Sequence, residues 1–412
     1  MRIVFFTGKG GVGKTTTAAA TALRSADRGV KTLLVSTDSA HSLSDALGVE
    51  LGNDPLAVTE SLSAVQIDAQ ARFENSWLDV QRYLIDLLAA SGVDLITADE
   101  LTVLPGIEEV LALLAVRDLA ERDQWDVIVV DCAPTAETLR LLALPDALSW
   151  YLGRVLPMQR RLARGVRPVA ALLGAARALP PAALFDALLR LADEVSSVRA
   201  LLADPAISTV RLVLTPETVV VAEARRTFTA LALYGYRVDG IVANRVMDAG
   251  EGDPWRAGWA AAHRRSLDDV RDTFTGVDIR EVAYRTGEPI GVDALREVGA
   301  DLYAGLGGGD PVAPCPPTSA MSVHQDGGDY VLSLPLPLAD PAEVEAVRSG
   351  DDLVLTVGGH RRVLALPSAL RRCVVVSGSF AADAVQVRFR PDPALWPTRV
   401  PARAKSNAEN ER

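Results

Sequence analysis

Apolar positions follow two rhythms along this chain. Up to about residue 300 they form short unbroken runs, and beyond residue 320 they alternate with polar or small residues. The runs are Ile3–Phe6, Lys31–Ser36, Trp125–Asp131, Val210–Thr215 and Arg237–Asn244. Such runs, rich in Val, Ile and Leu, predict strands buried on both faces, as in a parallel sheet. Helices are expected over Thr17–Ala26 and Thr218–Tyr234, over most of 50–125, with one start after Leu104-Pro105-Gly106, and over 148–205. Strands alternating with helices predict an α/β fold with an open, doubly wound, mainly parallel sheet.

Within 148–205, Leu184, Leu188, Leu191, Val195, Val198 and Leu202 recur at spacings of 4, 3, 4, 3 and 4. That is one apolar stripe on a helix. It packs on the parent core, or it lines a groove for a hydrophobic segment. Arg154, Arg160, Arg161, Arg164 and Arg167 lie nearby, as a solvated face or a surface beside acidic lipid. The Gly/Pro-rich stretch within 304–322 reads as a linker. After it, Tyr330, Leu332, Leu334 and Leu336 alternate, and Leu353–Val357, Arg362–Leu366 and Val385–Phe389 are further short strands. This predicts an antiparallel β-sandwich over 323–391, with a polar, disordered tail over 392–412.

The first run leads directly into chemistry. Residues 2–17 read RIVFFTGKGGVGKTTT, which is the order strand, glycine-rich loop, helix of a P-loop. Gly8, Lys9, Gly10, Gly11, Val12 and Gly13 supply a nest of backbone N–H groups for phosphates. Lys14 reaches the β- and γ-phosphates, the Thr15 hydroxyl ligates Mg²⁺, and Thr16 completes the nucleotide-binding set. Two carboxylates follow at strand ends, where open α/β sheets bind ligands. Asp38 is placed to orient or deprotonate a water attacking the γ-phosphate, or to hold a magnesium-bound water. Its plainer reading is an N-cap for the next helix. Asp131 ends its strand as a Walker B-type acid and holds the magnesium hydration shell. Asn244 ends another strand, where its amide can bond an adenine edge or form a turn.

Bulk properties narrow the class. The chain has 412 residues, enough for two or three domains, with 49% hydrophobic and 5% aromatic residues. A net charge of −11 argues against a general nucleic-acid binder. Cys132, Cys315 and Cys373 form no CxxC, which fits a reducing cytoplasm. No transmembrane segment and no signal peptide are expected.

Lys9 sharpens the picture. A second lysine directly after the first glycine, in GKGGVGKTT, resembles the deviant Walker A group. That group includes the arsenical pump ATPase, the targeting ATPase for tail-anchored membrane proteins, partition and septum-site ATPases and the nitrogenase iron protein. Two further segments resemble the first two members. They are STDSAHSLSDALG, from Ser36, and DCAPTAETLRLLALP, from Asp131. LPGIEEV, from Leu104, is similar as well. Ser39 stands where the family has proline, Cys132 where it has Thr, and Ala136-Glu137 where it has Gly-His. The resemblance covers about residues 1–303. It implies an Mg-ATP hydrolase working as a homodimer with ATP at the interface. Lys9 then contacts the partner's nucleotide, and catalysis rests on Asp38, Lys14 and Lys9. Asn244 reads the base, and Val282–Gly291 closes over it. It also implies a helical client-binding subdomain at 148–205. The 323–391 region is similar to the α-crystallin domain of small heat-shock proteins, which dimerise or pair with exposed strands. Three functions stay open: handling of a hydrophobic or membrane-protein client, driving an arsenite or anion efflux pump, and an ATP-switched scaffold that recruits a partner through the sandwich. The expected location is cytoplasmic, with attachment to the membrane periphery open.

Overall fold

The computed structural model describes residues 1–38, 42–68, 107–133, 193–194, 196–306, 309–314 and 321–396. The N-terminal strands are β1 (Arg2–Thr7), β2 (Thr32–Ser36), β3 (Leu56–Ala57), β4 (Leu62–Gln66), β5 (Val127–Asp131), β6 (Ser208–Leu214), β7 (Val238–Val246) and β8 (Asp278–Ala283). They form one eight-stranded sheet in the order β3-β4-β2-β5-β1-β6-β7-β8. All neighbours are parallel except β3, which runs antiparallel to β4. Every residue of β1, β2, β5 and β6 is buried, as the unbroken apolar runs require. From β1 the chain winds out through β2 and returns at β5, then leaves on the other side through β6, β7 and β8. The order therefore reverses at β1, and the crevice for a ligand opens at the carboxyl ends of β5, β1 and β6.

The helices are α1 (Lys14–Ala26), α2 (Ser42–Leu47), α3 (Ile107–Glu121), α4 (Thr218–Tyr234), α5 (Pro254–Thr273) and α6 (Val292–Leu302). α1 packs on β5 and β2 and against α6, while α4 packs on β6 and against α5. α4 has the bounds expected from its sequence. Pro216-Glu217 precedes it, and Gly235, in the left-handed region, caps its end.

Three expectations change. The reading of 50–125 as mainly helical is wrong where it is described. Leu62–Gln66 is a strand paired with β2, and only 107–121 is helical. The strand is short, and β2 on one side supplies the pairing that local pattern does not reveal. The 304–322 stretch is not a free linker throughout. Val312 is buried in the main core, and the Pro311 carbonyl accepts hydrogen bonds from Arg211 at 3.3 Å. Of the 184–202 stripe, Val198 and Leu202 lie in the main core, and 184–192 and Val195 fall outside the described residues. So do the five arginines, residues 39–41, the 104–106 break, most of the segment after Asp131, Cys315 and the tail from 397.

The C-terminal strands are β9 (Ser322–Asp326), β10 (Asp329–Pro335), β11 (Val344–Ser349), β12 (Asp352–Val357), β13 (His360–Ala365), β14 (Cys373–Ala381) and β15 (Ala384–Pro391), with a short helix α7 (Ser368–Arg371). They make a four-stranded sheet, β14-β15-β10-β9, and a three-stranded one, β11-β12-β13. The alternating residues Leu332, Leu334, Leu353, Leu355, Val385, Val387 and Phe389 form the core between them. This unit is docked on α4. Leu233 is fully buried within the sandwich's own core, a burial worth about 2 kcal/mol. The Arg362 guanidinium donates to the Leu233 carbonyl, and Thr229 donates to the Pro337 carbonyl at 2.9 Å.

Candidate active site

The loop after β1 must fold back so that α1 can start beneath it, and two glycines are required by space. A Cβ on Gly8 would lie 2.1 Å from the Val213 carbonyl oxygen, and one on Gly13 would lie 2.2 Å from the Asn244 amide nitrogen. Gly13 also has φ +92° and forms the N-cap of α1, with no side chain capping the helix. The first-turn amides are therefore free of a side-chain acceptor, at the positive end of the helix dipole, which is an anion site. Gly10 and Gly11 are exposed, and a Cβ on either would meet nothing within 4 Å. The mouth of the loop is open.

Lys14 is buried, and its Nζ donates to the Lys9 carbonyl at 3.5 Å. Thr15 Oγ1 donates to Asp131 Oδ2 at 2.7 Å and lies 3.2 Å from Ser42 Oγ. Asp131 is completely buried, and its Oδ1 has no hydrogen-bond partner among the described residues. Its pKa is raised to about 7: burial is the largest cause, the bond from Thr15 and the charge of Lys14 oppose it, and the charge of Asp38 adds to it. A hydroxyl and an orphaned carboxylate oxygen beside a phosphate-type loop are hard oxygen donors of the kind Mg²⁺ prefers. The residues fit the ion. Thr15 could hold it directly, and Asp131 through water.

Asp38 lies two residues past the end of β2. Gln66 Nε2 donates to its carbonyl at 3.2 Å, and its own amide donates to Ser36 Oγ at 3.3 Å. Ser44 in turn donates to Gln66 Oε1 at 3.3 Å. The main chain that carries the carboxylate is thus fixed from two sides. Asp38, Lys14, Thr15 and Asp131 come together around one crevice.

Asn244 is also there, two residues before the end of β7, but its amide is in use. Nδ2 donates to the Val12 carbonyl at 2.8 Å, and Oδ1 accepts from the Arg245 amide at 2.9 Å. In this structure Asn244 therefore holds the P-loop, a role its sequence position did not suggest. Beside it, Thr16 and residues 282–289 line a cavity of about 360 Å³. Lys9 is half-exposed, with Nζ 3.8 Å from a Glu223 carboxylate oxygen on α4. The family resemblance implies a contact of Lys9 with a partner's nucleotide and gave no sign of this pairing. Ser42, Gln66 and Glu223 were missed. Ser42 falls inside the 36–48 segment, whereas Gln66 and Glu223 carry no local signal. Cys132 is a buried residue of the main core, as its small size suggests.

Residues 1–304 match the family described as "Anion-transporting ATPase". The chain belongs to that family. This ATPase also matches, over 327–389, the "HSP20-like domain found in ArsA". It is 35% identical to a "Putative arsenical pump-driving ATPase" of Chlorobaculum tepidum, over 90% of this chain and 91% of that one. It is 39% identical to "Protein Rv2184c" of Mycobacterium tuberculosis, over 96% and 98%. It is 26% identical to "ATPase ASNA1 homolog 2" of Paramecium tetraurelia, over 72% and 92%. Both the mainly parallel sheet of the ATPase and its C-terminal antiparallel sheets agree with these matches. Among the described residues, no helix is long and apolar enough to cross a membrane.

Proposed function

We propose that this ATPase hydrolyses Mg-ATP as a homodimer closed over nucleotide, and that the cycle drives the handling of a hydrophobic or membrane-protein client. One observation carries the hydrolytic part. Thr15 and Asp131 meet at 2.7 Å at the head of the P-loop, and the second Asp131 oxygen is buried without a partner among the described residues. The amides of Gly8 to Gly13 and the Lys14 ammonium bind the phosphates. Thr16 and Asn244 face the nucleoside side. Magnesium, when bound, supplies charge that offsets the phosphates, and Thr15 and Asp131 are the residues that would hold it. Asp38 accepts a hydrogen bond from the attacking water and orients it toward the γ-phosphate. Lys9 exchanges Glu223 for the nucleotide of the partner. Phosphoryl transfer depends on positioning and electrostatics, and these side chains stand on strand ends and a helix start rather than on long loops.

The client part rests on the docked sandwich. A unit bound to α4 through Leu233 and Arg362 shares a helix with the residue that holds Lys9. A second reading, the motor of an arsenite or anion pump, is favoured by the names of the relatives. Against it, Cys132 and Cys373 are buried in two different cores.

Asp38→Asn should bind ATP and lose turnover by about 10²-fold or more. Wild-type turnover in that variant would remove Asp38 from the mechanism. With ATP, the same variant should bind a fluorescent leucine-rich helical peptide more tightly than the wild type does with ADP. Arsenite-stimulated turnover with no peptide binding would select the pump.

A further inference from the structure

We propose that the cleft between the ATPase unit and the sandwich binds a small, uncharged apolar molecule, with Leu338 as its clamp. This site is separate from the nucleotide crevice and lies at the other end of the same sheet.

A cavity of about 560 Å³ lies where the two units meet. Small-molecule sites run to roughly 300–1,000 Å³ and favour such junctions. This one opens at the amino ends of three parallel strands. Pro205 precedes β6, Val238 begins β7 and Val277 precedes β8. The P-loop stands at the carboxyl ends. From the ATPase side the cavity is walled by Phe228, Tyr236 and Phe274. Phe228 and Phe274 meet edge to face, with ring centroids 5.3 Å apart. Tyr236 and Phe274 are buried, so this wall is firmly packed. From the sandwich side come Pro335, Pro337 and Leu338.

Leu338 stands where its backbone asks for another residue. The Ala339 amide donates to the Leu336 carbonyl at 3.3 Å, which closes a four-residue turn around Pro337 and Leu338. Proline second and a positive φ third are the marks of a type II turn, whose third position favours glycine or asparagine. Leu338 has φ +64°. A bulky residue at such an angle is strained, and it persists only where its neighbours over-determine it. They do so here. Thr229 on α4 donates to the Pro337 carbonyl at 2.9 Å. Leu336 is fully buried and donates its amide to the Asp383 carbonyl at 2.7 Å. Glycine would serve this turn better. What leucine adds is apolar surface on the cavity wall, where it is 36% exposed.

The lining sets the chemistry of the occupant. Among the described lining residues only Arg237 and Asp383 carry charge, and their signs are opposite. The walls therefore offer an ion no net charge. A peptide chain would bring backbone N–H and C=O groups against ring and proline surfaces, where they lose water without gaining partners. An uncharged aliphatic or aromatic molecule leaves water at no such cost. The ATPase and the sandwich each supply one wall, so the molecule binds the docked arrangement of the two and stabilises it by mass action.

The test titrates the full chain with N-phenyl-1-naphthylamine, an uncharged probe that fluoresces in apolar surroundings, and displaces it with 1-decanol. Saturable binding that decanol reverses is expected. Leu338→Gly should weaken the probe by about fivefold or more, the scale of one apolar side-chain contact, with no fall in melting temperature. Thr275→Trp, which sets a large ring at the exposed rim, should weaken it as much. Unchanged affinity in either variant overturns the inference, because the probe then binds elsewhere on the chain. An absence of saturable binding overturns it too. If Leu338→Gly melts early, Leu338 is a packing residue and its role as a clamp falls. Displacement by decanoate in preference to decanol would assign the cavity to an anion at Arg237 and overturn the uncharged class.

Discussion

Two carboxylates are buried in the same sheet, and the fold treats them in opposite ways. Asp239, near the start of β7, has both oxygens engaged. It accepts from Thr209 at 2.8 Å and from Arg211 at 3.2 and 3.0 Å, and Arg2 lies 3.6 Å away. Arg211 donates onward to the Tyr303 hydroxyl at 2.8 Å, which meets Thr21 at 2.7 Å. Asp131, at the end of β5, has Thr15, and its other oxygen has no partner among the described residues. The closed network lies toward the amino ends of the strands, and the open one lies at the carboxyl ends beside the P-loop. A buried polar atom without a partner costs about 1–3 kcal/mol. A fold that completes one carboxylate so thoroughly leaves the other incomplete where a ligand completes it. Of these two carboxylates, the incompletely satisfied one is the one that stands beside the P-loop.

The largest effect that can break this comparison is on turnover. Asp131→Asn should lower ATP hydrolysis by about 10³-fold, measured as phosphate release with saturating Mg-ATP. The same variant should make the nucleotide-free protein more stable at alkaline pH. The wild-type carboxyl has its pKa raised to about 7 in the fold from 3.8. Between those values the folded chain keeps a proton that the unfolded chain has lost. Its contribution to stability is therefore fully present below about pH 4 and is lost as pH rises through 7. Asn does not titrate, so the melting temperature of the variant minus that of the wild type should grow from pH 5 to pH 8, by about 2–4 °C for each kcal/mol. A difference that stays flat with pH would mean that Asp131 is not held above its ordinary range.

The next effect is on stability alone. Asp239→Asn leaves the Arg211 charge buried among neutral partners only, the Tyr303 hydroxyl and the Pro311 carbonyl among them, and breaking a buried pair in this way costs about 3–5 kcal/mol. Replacing both, with Arg211→Met and Asp239→Leu, should recover most of that loss. Turnover per folded molecule should stay unchanged in each case. Thermal melts together with active-site titration read the two quantities apart. A large loss of turnover in a well-folded double variant would show that the closed network serves catalysis too.

The contrast also explains what could be read from the sequence. β1, β2, β5, β6 and β7 were legible because strands buried on both faces leave unbroken apolar runs. The P-loop, Asp38 and Asp131 were legible because each stands at the end of such a run. β8 was not, since DIREVA is a mostly exposed edge strand, and β14 was not, since Val374, Val375 and Val376 are all exposed rather than alternating. The partners that fix the site come from afar. Asn244 and Val12 are 232 residues apart, and Gln66 and Asp38 are 28 apart. No local pattern encodes such pairs, and Asn244 shows the consequence: its bond to the Val12 carbonyl was not foreseen.

The smallest effect concerns Lys9. Its pair with Glu223 is 3.8 Å long, with the two side chains 41% and 29% exposed. Exposed pairs of this kind contribute about 0.5 kcal/mol or less, so Glu223→Gln should barely move the melting temperature. Its informative effect is on association. If Lys9 must leave Glu223 to reach a partner's nucleotide, removing the carboxylate should tighten the ATP-dependent dimer of the Asp38→Asn protein by about twofold. The gain should disappear in high salt, where the pair is already screened. Lys9→Ala should act in the opposite direction and more strongly, because it deletes the trans contact rather than its competitor. If neither change alters dimer affinity at low salt, Lys9 is a solvated lysine with an incidental neighbour. The Thr15–Asp131 end of the comparison would stand, and the link from nucleotide to α4 and the sandwich would not.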